Sequence, residues 1–296
     1  MVVPLFSVVM PLYNKEKFIG QALSSVLHQD YSDFEILVVD DCSTDGSVNV
    51  LAGFSDPRIK VFRRESPGPG GYLARNYGVE MASGDWVVFL DADDFWDENH
   101  LSALVELIRE YPHADLLSAG YRIVDRGAVE IVAHEMTVAL RSCEALKVLL
   151  WRDLIHTNSV CIKRTLYESS GGFRGDKGWK RGGDSEFWLR LVGLCSTVIL
   201  SGKVTSNWIL DRSEITNKRI VSGEKHPALS YLAAPTVDGY AHCQRLVRLY
   251  VNRKQLTWEL QGKLSWQKAA RIARIVILFP DLFSQYVWRA IQSRIR

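Results

Sequence analysis

The stretch VVFLDADDFW, Val87 to Trp96, begins with four apolar residues, continues with three aspartates in four positions and ends with two aromatic residues. A short, continuous apolar run is typical of a strand that is buried on both faces of a sheet. One carboxylate is enough to cap a following helix, so at least one aspartate is left over. Clustered carboxylates repel one another unless a cation lies between them. The stretch therefore predicts a buried strand that ends in a charged site.

Apolar strands and amphipathic helices alternate on both sides of this stretch. FSVVM and FEILVV are short runs rich in β-branched residues, and the apolar residues between them recur at helical spacing over residues 18–27. The alternation continues with RIKVF, YLARNYGVEMA, WVVFL and NHLSALVELIREY. Apolar strands separated by helices predict a doubly wound α/β fold, in which helices cover both faces of a mostly parallel sheet.

The alternation is less regular after about residue 120. LLSAGYRIV predicts a strand, SCEALKVLLW and SEFWLRLVGL predict helices, and the glycine-rich loop GGFRGDKGWKRGGD lies between these helices. No repeat or low-complexity linker separates the halves. We therefore predict one composite domain, with a first half over residues 1–120, a second half over residues 121–240 and a helical tail over residues 241–296.

Composition and charge argue against several classes of protein. The net charge of +2, without basic runs interleaved with aromatic residues in the body of the chain, argues against nucleic acid as a partner. The five cysteines include no CxxC pair, so we expect no disulfide framework, no zinc site and a reducing, cytoplasmic compartment. We expect neither a signal peptide nor a membrane-spanning segment, because no apolar run reaches about 20 residues.

Polar residues follow three of the predicted strands, in the segments PLYN, DDCSTDG and DADD. In an open parallel sheet, ligands bind beyond the carboxyl ends of the strands, so these segments should face one crevice. For Ser43 to Asp45, helix capping and ligand binding are equally good interpretations. Asp41 is placed to accept hydrogen bonds from a base or a ribose.

The three aspartates from Asp91 to Asp94 predict a hard divalent cation. Mg²⁺ and Mn²⁺ accept carboxylate oxygens, keep open coordination positions and bridge to substrate phosphates. The charged end of the strand is therefore interpreted as a site for Mg²⁺ or Mn²⁺, which in turn holds a diphosphate.

Five motifs in this order resemble the family 2 glycosyltransferases with a GT-A fold. They are PLYN, VVDDCSTDG, ARNYG, ASGDWVVFLDADD and GGDSEFWLR. The resemblance covers about residues 5–215. It implies a GT-A α/β domain with a nucleotide-binding half and an acceptor half. It also implies an inverting transfer of a sugar from a nucleotide diphosphate sugar, with UDP-sugars favoured, to an acceptor hydroxyl.

The resemblance implies roles for residues that bind the nucleotide sugar. Pro11 and Tyr13 belong to the PLYN motif, and Tyr13 matches a position that flanks the nucleobase. Asp41 matches a position that hydrogen-bonds the nucleobase, and Arg75 matches a position beside the nucleotide.

The resemblance also implies a metal site and a catalytic base. Asp91 and Asp93 match the DxD motif, with Asp93 the more direct metal ligand and Asp91 nearer the ribose. Asp184 matches the usual position of the catalytic base, although capping of the helix SEFWLRL is a compatible interpretation. A metal neutralises the leaving group, and removal of the hydroxyl proton contributes about 10²- to 10⁴-fold.

Three features depart from the family pattern or are left without a role. Gly183 stands where many members have Glu. Asp211 and Arg212 stand where some relatives carry a histidine metal ligand, and a surface salt bridge is the favoured interpretation of both. His156 is interpreted as a satisfied strand residue, with contact to the acceptor as the alternative.

The last segment, Lys263 to Arg296, carries seven basic residues and one acidic residue together with Trp266 and Trp288. This composition fits a helix on an anionic membrane surface, or a helix pair packed on the domain. We therefore expect a cytoplasmic enzyme, peripheral on the inner face of the plasma membrane, that acts on a glycan or lipid-linked acceptor in surface polysaccharide synthesis.

Two other functions are kept as alternatives. A sugar nucleotidyltransferase usually carries a glycine-rich, basic phosphate loop after its first strand, and PLYNKEKF has no glycine. A non-catalytic nucleotide-sugar-binding protein has no need of a base at Asp184 in addition to Asp41, Asp91 and Asp93.

Overall fold

The computed structural model describes residues 5–175, 178–213, 226–232, 240 and 243–260. The first half alternates strands and helices as its sequence predicts. The strands are β1 (Phe6–Leu12), β2 (Phe34–Asp40), β3 (Ile59–Arg63), β4 (Trp86–Phe89) and β5 (Phe95–Trp96). The helices are α1 (Ile19–Leu27), α2 (Ser47–Leu51), α3 (Tyr72–Glu80) and α4 (His100–Glu110).

The second half contains more strands than its sequence indicates. The strands are β6 (Leu116–Asp125), β7 (Ala128–Val132), β8 (Val138–Leu140), β9 (Val160–Lys163) and β10 (Val198–Ile209). The helices are α5 (Ser142–Leu149), α6 (Arg164–Ser170), α7 (Gly183–Leu194) and α8 (Gln244–Leu260). Short 3₁₀ turns lie at Pro69–Gly71, Thr157–Ser159, Leu210–Arg212 and Pro227–Leu232.

One sheet runs through both halves. Its strand order is β3-β2-β1-β4-β9-β6-β10-β5, with β7 beside β6 and β8 beside β10. The strands β3, β2, β1 and β4 are parallel, and so are β6 and β10. β9 is antiparallel to both β4 and β6 and joins the two parallel groups. The doubly wound α/β fold is confirmed, and β9 is among the strands that the sequence pattern did not reveal.

Each face of the sheet is covered by its own apolar core. Val8 and Met10 of β1 face a core that includes residues of α1 and α4. Val9, between them, faces a second core with residues of α3 and α7. Successive side chains of a strand point to opposite faces, so a strand between two cores must be apolar at every position. The continuous apolar run in FSVVM follows from this burial.

Gly78 allows α3 to lie unusually close to β1. A Cβ atom at Gly78 would lie 2.4 Å from Cγ1 of Val9, a distance at which the two elements must move apart. Arg75 lies one turn earlier on the same helix, so the close packing also fixes the position of its side chain.

Cys143 of α5 and Cys243, which directly precedes α8, form a disulfide bond, and the other three cysteines are free. The expectation of no disulfide is therefore wrong. The two cysteines are 100 residues apart in sequence, and only the packing of α8 near α5 brings them together. Because disulfides are rare in reducing compartments, the cysteines no longer support a reducing compartment.

No helix in the part of the chain described by the structure is long and apolar enough to cross a bilayer. The predicted membrane-surface segment from Lys263 to Arg296 lies outside the described residues.

Candidate active site

The carboxyl ends of β1, β2 and β4 lie side by side, because β1 pairs with both neighbours. Leu12 of β1 is in register with Asp40 of β2, and the backbone N–H of Asp41 donates to the Leu12 carbonyl at 2.7 Å. Leu90, just after β4, donates to the Val9 carbonyl at 3.1 Å. The segments PLYN, DDCSTDG and DADD therefore converge at one edge of the sheet, where open α/β sheets bind their ligands.

Asp41 is buried at this edge, and each of its carboxylate oxygens has a protein partner. Oδ1 binds the guanidinium of Arg64, and Oδ2 accepts a hydrogen bond from the backbone N–H of Gly68 at 2.9 Å. Asp41 thus holds the segment after β3 beside the crevice. Tyr13 is exposed to 50% at the end of β1, and Pro11 lies within β1. Contact of these three residues with a nucleotide remains a prediction.

Ser43 and Asp45 connect the loops around the crevice. The carboxylate of Asp45 accepts hydrogen bonds from the backbone N–H of Glu16 and of Ser47, both at 3.0 Å. Ser47 begins α2, so Asp45 satisfies a free amide at the start of that helix. Ser43 Oγ accepts from the backbone N–H of Asn14 at 3.1 Å. Asp45 therefore has the capping role that was one of the two interpretations, whereas Ser43 connects two loops and caps no helix.

Arg75 and Asp91 form an ion pair at the end of β4. The buried guanidinium donates to the Asp91 carboxylate and to the carbonyl of Gly70, the latter at 3.1 Å. The backbone N–H of Asp91 donates to Oδ1 of Asn158 at 2.9 Å. The Asp91 side chain is still 27% exposed, so its carboxylate remains accessible from the crevice.

Asp94 has a structural role, because both of its carboxylate oxygens accept hydrogen bonds from the protein. Its Oδ1 accepts a hydrogen bond from the backbone N–H of Ile209 at 2.6 Å, and its Oδ2 accepts one from the amide of Asn158. Burial, and then the charges of the other two aspartates, raises the pKa of Asp94 well above its ordinary value. The expectation that one of these aspartates caps the next helix is wrong. α4 follows Asn99 without a side-chain cap, and Asp94 instead ties the end of β4 to β10.

Asp93 lies opposite Lys15, the residue after the PLYN motif. Lys15 Nζ is 3.0 Å from Asp93 Oδ2, and both side chains are largely buried. Burial, and then the charge of Asp91, raises the pKa of Asp93, while Lys15 acts in the opposite direction. One ammonium group therefore neutralises the negative charge at this position only in part.

A divalent cation fits the carboxylates of Asp91, which is accessible from the crevice, and of Asp93, which is largely buried beside Lys15. The described residues contain no group of three or more His, Cys, Asp or Glu side chains that could hold a metal. Two carboxylates are nevertheless sufficient for Mg²⁺ or Mn²⁺, because such ions complete their coordination with water and substrate phosphates. The excess of negative charge at Asp93 supports the same assignment.

Asp184 lies in the first turn of α7, on the wall of a cavity of about 620 Å³ that Arg75 and Asp91 also line. Tyr72 of α3 fixes the start of α7, because its hydroxyl accepts a hydrogen bond from the backbone N–H of Gly183 at 3.1 Å. The fold therefore brings residues from β4, α3 and α7 to one cavity of the size that binds small molecules.

The remaining walls of the cavity come from the second half and from α8. Of their residues, the sequence indicated only His156, with contact to the acceptor as an alternative role. The aromatic residues among them are Tyr121, His156, Trp151, Trp188, Trp208, Tyr240, Tyr250 and Trp258. Lys254 and Arg253 of α8 bind Asp153 on the opposite wall, with Lys254 Nζ at 2.8 Å. α8 is therefore part of the site. The sequence offered one signal for these walls, namely the aromatic residues in the segments YRIV and SNWIL.

Arg212 packs against the loop that carries Asp93. Its guanidinium donates to Oε1 of Gln21 at 2.9 Å and to the carbonyl of Asp93 at 3.4 Å, and it lies 5.0 Å from the centre of the Phe18 ring. The interpretation of Arg212 as a surface salt bridge is therefore wrong.

Residues 7–168, more than half of the chain, match the family model described as Glycosyl transferase family 2. The UDP-Glc:alpha-D-GlcNAc-diphosphoundecaprenol beta-1,3-glucosyltransferase WfgD of Escherichia coli is 36% identical over 160 residues. That alignment covers 51% of this chain and 62% of the relative. A glycosyltransferase of Haemophilus influenzae is matched over 37% of its length, so the chain spans less than two thirds of either relative.

Two solved structures resemble the fold over nearly the whole chain. Residues 1-349 of S. aureus TarS in complex with UDP-GlcNAc superpose with a TM-score of 0.66 at 23% identity, covering 95% of this chain and 76% of that 1-349 chain. The mannosyltransferase PcManGT from Pyrobaculum calidifontis, in complex with GDP-Man and Mn²⁺, gives a TM-score of 0.61 at 19% identity. The superposition covers 99% of this chain and 85% of the PcManGT chain. These likenesses confirm the predicted GT-A fold.

Proposed function

The chain belongs to glycosyltransferase family 2, and from this membership we propose that it transfers a sugar from a nucleotide diphosphate sugar to an acceptor hydroxyl, with inversion. The observation that carries the proposal is the cavity shared by Asp91, Arg75 and Asp184. It places the accessible carboxylate of the DxD motif and a second, separate carboxylate on the walls of one space.

The donor binds at the edge of the sheet where β1, β2 and β4 end. Tyr13, Pro11 and Asp41 face the nucleoside, and Arg75 lies beside the diphosphate. UDP-sugars are the favoured donors, in agreement with the names of the E. coli relative and of the TarS complex. The first half, residues 1–120, is therefore the donor half, and residues 121–240 form the acceptor half.

Asp93 and Asp91 hold a Mg²⁺ or Mn²⁺ ion, which when bound neutralises the charge that develops on the diphosphate leaving group. Lys15 supplies positive charge at the same place, because its ammonium lies 3.0 Å from Asp93 Oδ2. Arg75 is kept in position for the diphosphate by its bonds to Asp91 and to the Gly70 carbonyl.

Asp184 is the catalytic base. Its carboxylate takes the proton of the acceptor hydroxyl as the hydroxyl oxygen forms a bond to the anomeric carbon. On the opposite side of that carbon, the bond to the diphosphate oxygen breaks, and its electron pair leaves with the nucleotide. Attack opposite to the leaving group inverts the configuration.

The acceptor is a glycan or a lipid-linked glycan used in surface polysaccharide synthesis. The E. coli relative is named for an acceptor on diphosphoundecaprenol, which is a membrane lipid carrier. The basic segment from Lys263 to Arg296 supports a peripheral position on the inner face of the plasma membrane.

Binding and hydrolysis of UDP-, GDP- and dTDP-sugars, each with Mn²⁺ or Mg²⁺, test the proposal. We expect Asp93→Ala to lose metal-dependent binding. Asp184→Asn should keep binding and lose about 10²- to 10⁴-fold in turnover. Asp125→Asn, which removes an exposed carboxylate at the end of β6, is the matched control and should behave as wild type. Absence of nucleotide-sugar binding by the wild type under every metal condition would refute the proposed function.

A further inference from the structure

His156 is an imidazole in the cavity that the proposed mechanism leaves without a role. It directly precedes the 3₁₀ turn Thr157–Ser159, and it lines the same cavity as Asp91 and Asp184. The turn that follows it contains Asn158, which binds both the backbone of Asp91 and the carboxylate of Asp94. His156 is therefore anchored to the loop that carries the aspartates.

Two aromatic rings pack against the imidazole. The centre of the imidazole ring lies 4.8 Å from the centre of the Tyr121 ring in β6 and 4.7 Å from the centre of the Trp208 ring in β10. The interplanar angle is 31° for both pairs. Because two rings pack against the imidazole, its rotation is restricted. The ring orientation is thus fixed before any ligand binds.

The hydrogen bond at Nδ1 determines which nitrogen carries the proton. His156 Nδ1 accepts from the backbone N–H of Asn158 at 3.3 Å. In a neutral imidazole, the nitrogen that does not accept is the donor. Burial lowers the pKa of His156 below 6.5, although the charges of Asp91 and Asp184 act in the opposite direction. At neutral pH the ring is therefore uncharged, with its proton on Nε2.

The Nε2–H group is available to a ligand. Within the part of the chain that the structure describes, no protein atom is hydrogen-bonded to His156 Nε2, and His156 lines the cavity. His100 is the contrasting case, because its Nε2 is buried without a partner. A donor that has no partner among the described residues, on the wall of a cavity, can donate to a ligand that binds there.

We propose that His156 Nε2–H donates a hydrogen bond to a hydroxyl of a sugar bound in this cavity, which makes His156 a substrate-binding residue. This proposal rests on the proposed function and specifies the chemistry of its site. An uncharged donor beside two aromatic rings suits a neutral hydroxyl, whereas phosphate is bound preferentially by charged donors. The hydroxyl belongs either to the transferred sugar of the donor or to the acceptor glycan.

Two substitutions separate this role from a purely structural one. His156→Asn places an amide oxygen near the position of Nδ1, so it can still accept from Asn158 but has no donor at the position of Nε2. His156→Gln places an amide N–H near the position of Nε2 and loses the acceptor at Nδ1. If His156 only supports the turn, the Asn variant should resemble wild type and the Gln variant should be impaired.

We expect the opposite order in steady-state kinetics. His156→Asn should lower kcat/KM about 5- to 20-fold, the effect of one lost hydrogen bond to substrate, without a change in Tm. His156→Gln should stay within about threefold of wild type in kcat/KM even where its Tm is lower. If His156→Asn already lowers kcat/KM for donor hydrolysis, the hydroxyl belongs to the donor sugar. If it lowers kcat/KM only for transfer, the hydroxyl belongs to the acceptor. Wild-type kinetics in His156→Asn would overturn the proposal.

The imidazole ¹⁵N resonances provide a measurement that ligands would not change if His156 had only a structural role. The Nε2 resonance of His156 should shift when a nucleotide sugar or a glycoside is added and should remain unchanged with the nucleoside diphosphate alone. Unchanged Nε2 resonances with every sugar-containing ligand would also overturn the proposal. If nucleotide sugars do not bind at all, the proposed function fails. The response to free glycosides then still decides whether His156 binds sugar hydroxyls.

Discussion

Removal of the Lys15 ammonium should increase the affinity of the site for a divalent cation. Lys15 Nζ lies 3.0 Å from Asp93 Oδ2, and the side chains of the two residues are only 16% and 13% exposed. A cation that binds Asp93 must displace this ammonium or approach a second positive charge at short range. Lys15→Met removes the charge and keeps most of the side-chain volume, so it tests the electrostatic effect with little change in packing.

The size of the effect follows from the geometry of this ion pair. A hydrogen bond between charged groups contributes about 1.5–3 kcal/mol, and the released ammonium regains part of this through hydration. A net gain of about 1–2 kcal/mol corresponds to about 5- to 30-fold tighter cation binding. Isothermal titration with Mn²⁺ at pH 8, in the absence of nucleotide, measures the gain directly. Because burial raises the pKa of Asp93, an alkaline pH is chosen to favour its carboxylate form.

Lys163→Met is the matched control for this prediction. It breaks a comparable pair, in which Lys163 Nζ lies 3.2 Å from Asp115 Oδ1, on a strand away from the crevice. Its Mn²⁺ affinity should equal that of wild type. Equal or weaker Mn²⁺ binding by Lys15→Met would refute the reasoning, because it would show that the ammonium does not compete at Asp93.

Other predictions concern the fold. Gly78→Ala should lower Tm and destabilise the protein by about 1–3 kcal/mol, because its Cβ would lie 2.4 Å from Val9 Cγ1; an unchanged Tm would show that α3 can shift freely. Burial alone would raise the pKa of Glu35, but hydrogen bonds from Lys60 and two serines outweigh it and lower the pKa to about 2. Glu35 therefore stabilises the fold above its unfolded pKa of about 4.5, and this contribution is lost as the pH falls towards 2. The free energy of unfolding of Glu35→Gln, measured with denaturant, should depend less on pH than that of wild type between the unfolded pKa of about 4.5 and the folded pKa of about 2. An equal dependence in the two proteins would contradict the role assigned to Glu35. Thiol titration of the unreduced, denatured chain should find three free thiols, and Cys143→Ser should raise that number by one.

The first half of the fold was predictable because its signals are local. FSVVM and WVVFL are apolar at every position, since each strand is covered on both faces, and the helices between them have clear apolar periodicity. Parallel pairing around β1 then requires Asp41 and Asp91 to lie at the same edge of the sheet. The convergence of the polar segments thus follows from strand order and needs no knowledge of side-chain packing.

The second half was not predictable in the same way, because its determinants are distant in sequence. β9 is only four residues long, and its place between β4 and β6 depends on two pairings that no local pattern encodes. Lys15 meets Asp93 across 78 positions of the chain, and Cys143 meets Cys243 only through α8. The aromatic walls around His156 likewise come from strands that adjoin only in the folded sheet.

The bonds of Asp94 have a consequence for the order in which the protein forms during synthesis. Its carboxylate depends on Asn158, 64 residues later, and on the backbone of Ile209, 115 residues later. At about 5–20 residues per second, the ribosome adds Ile209 about 6 to 23 seconds after Asp94. Until then the aspartate cluster lacks the partners that fix its shape, although β1 to β4 have already left the ribosome. The nascent chain can therefore pair its first strands early, but it becomes competent to bind its ligand only after β10 has joined the sheet.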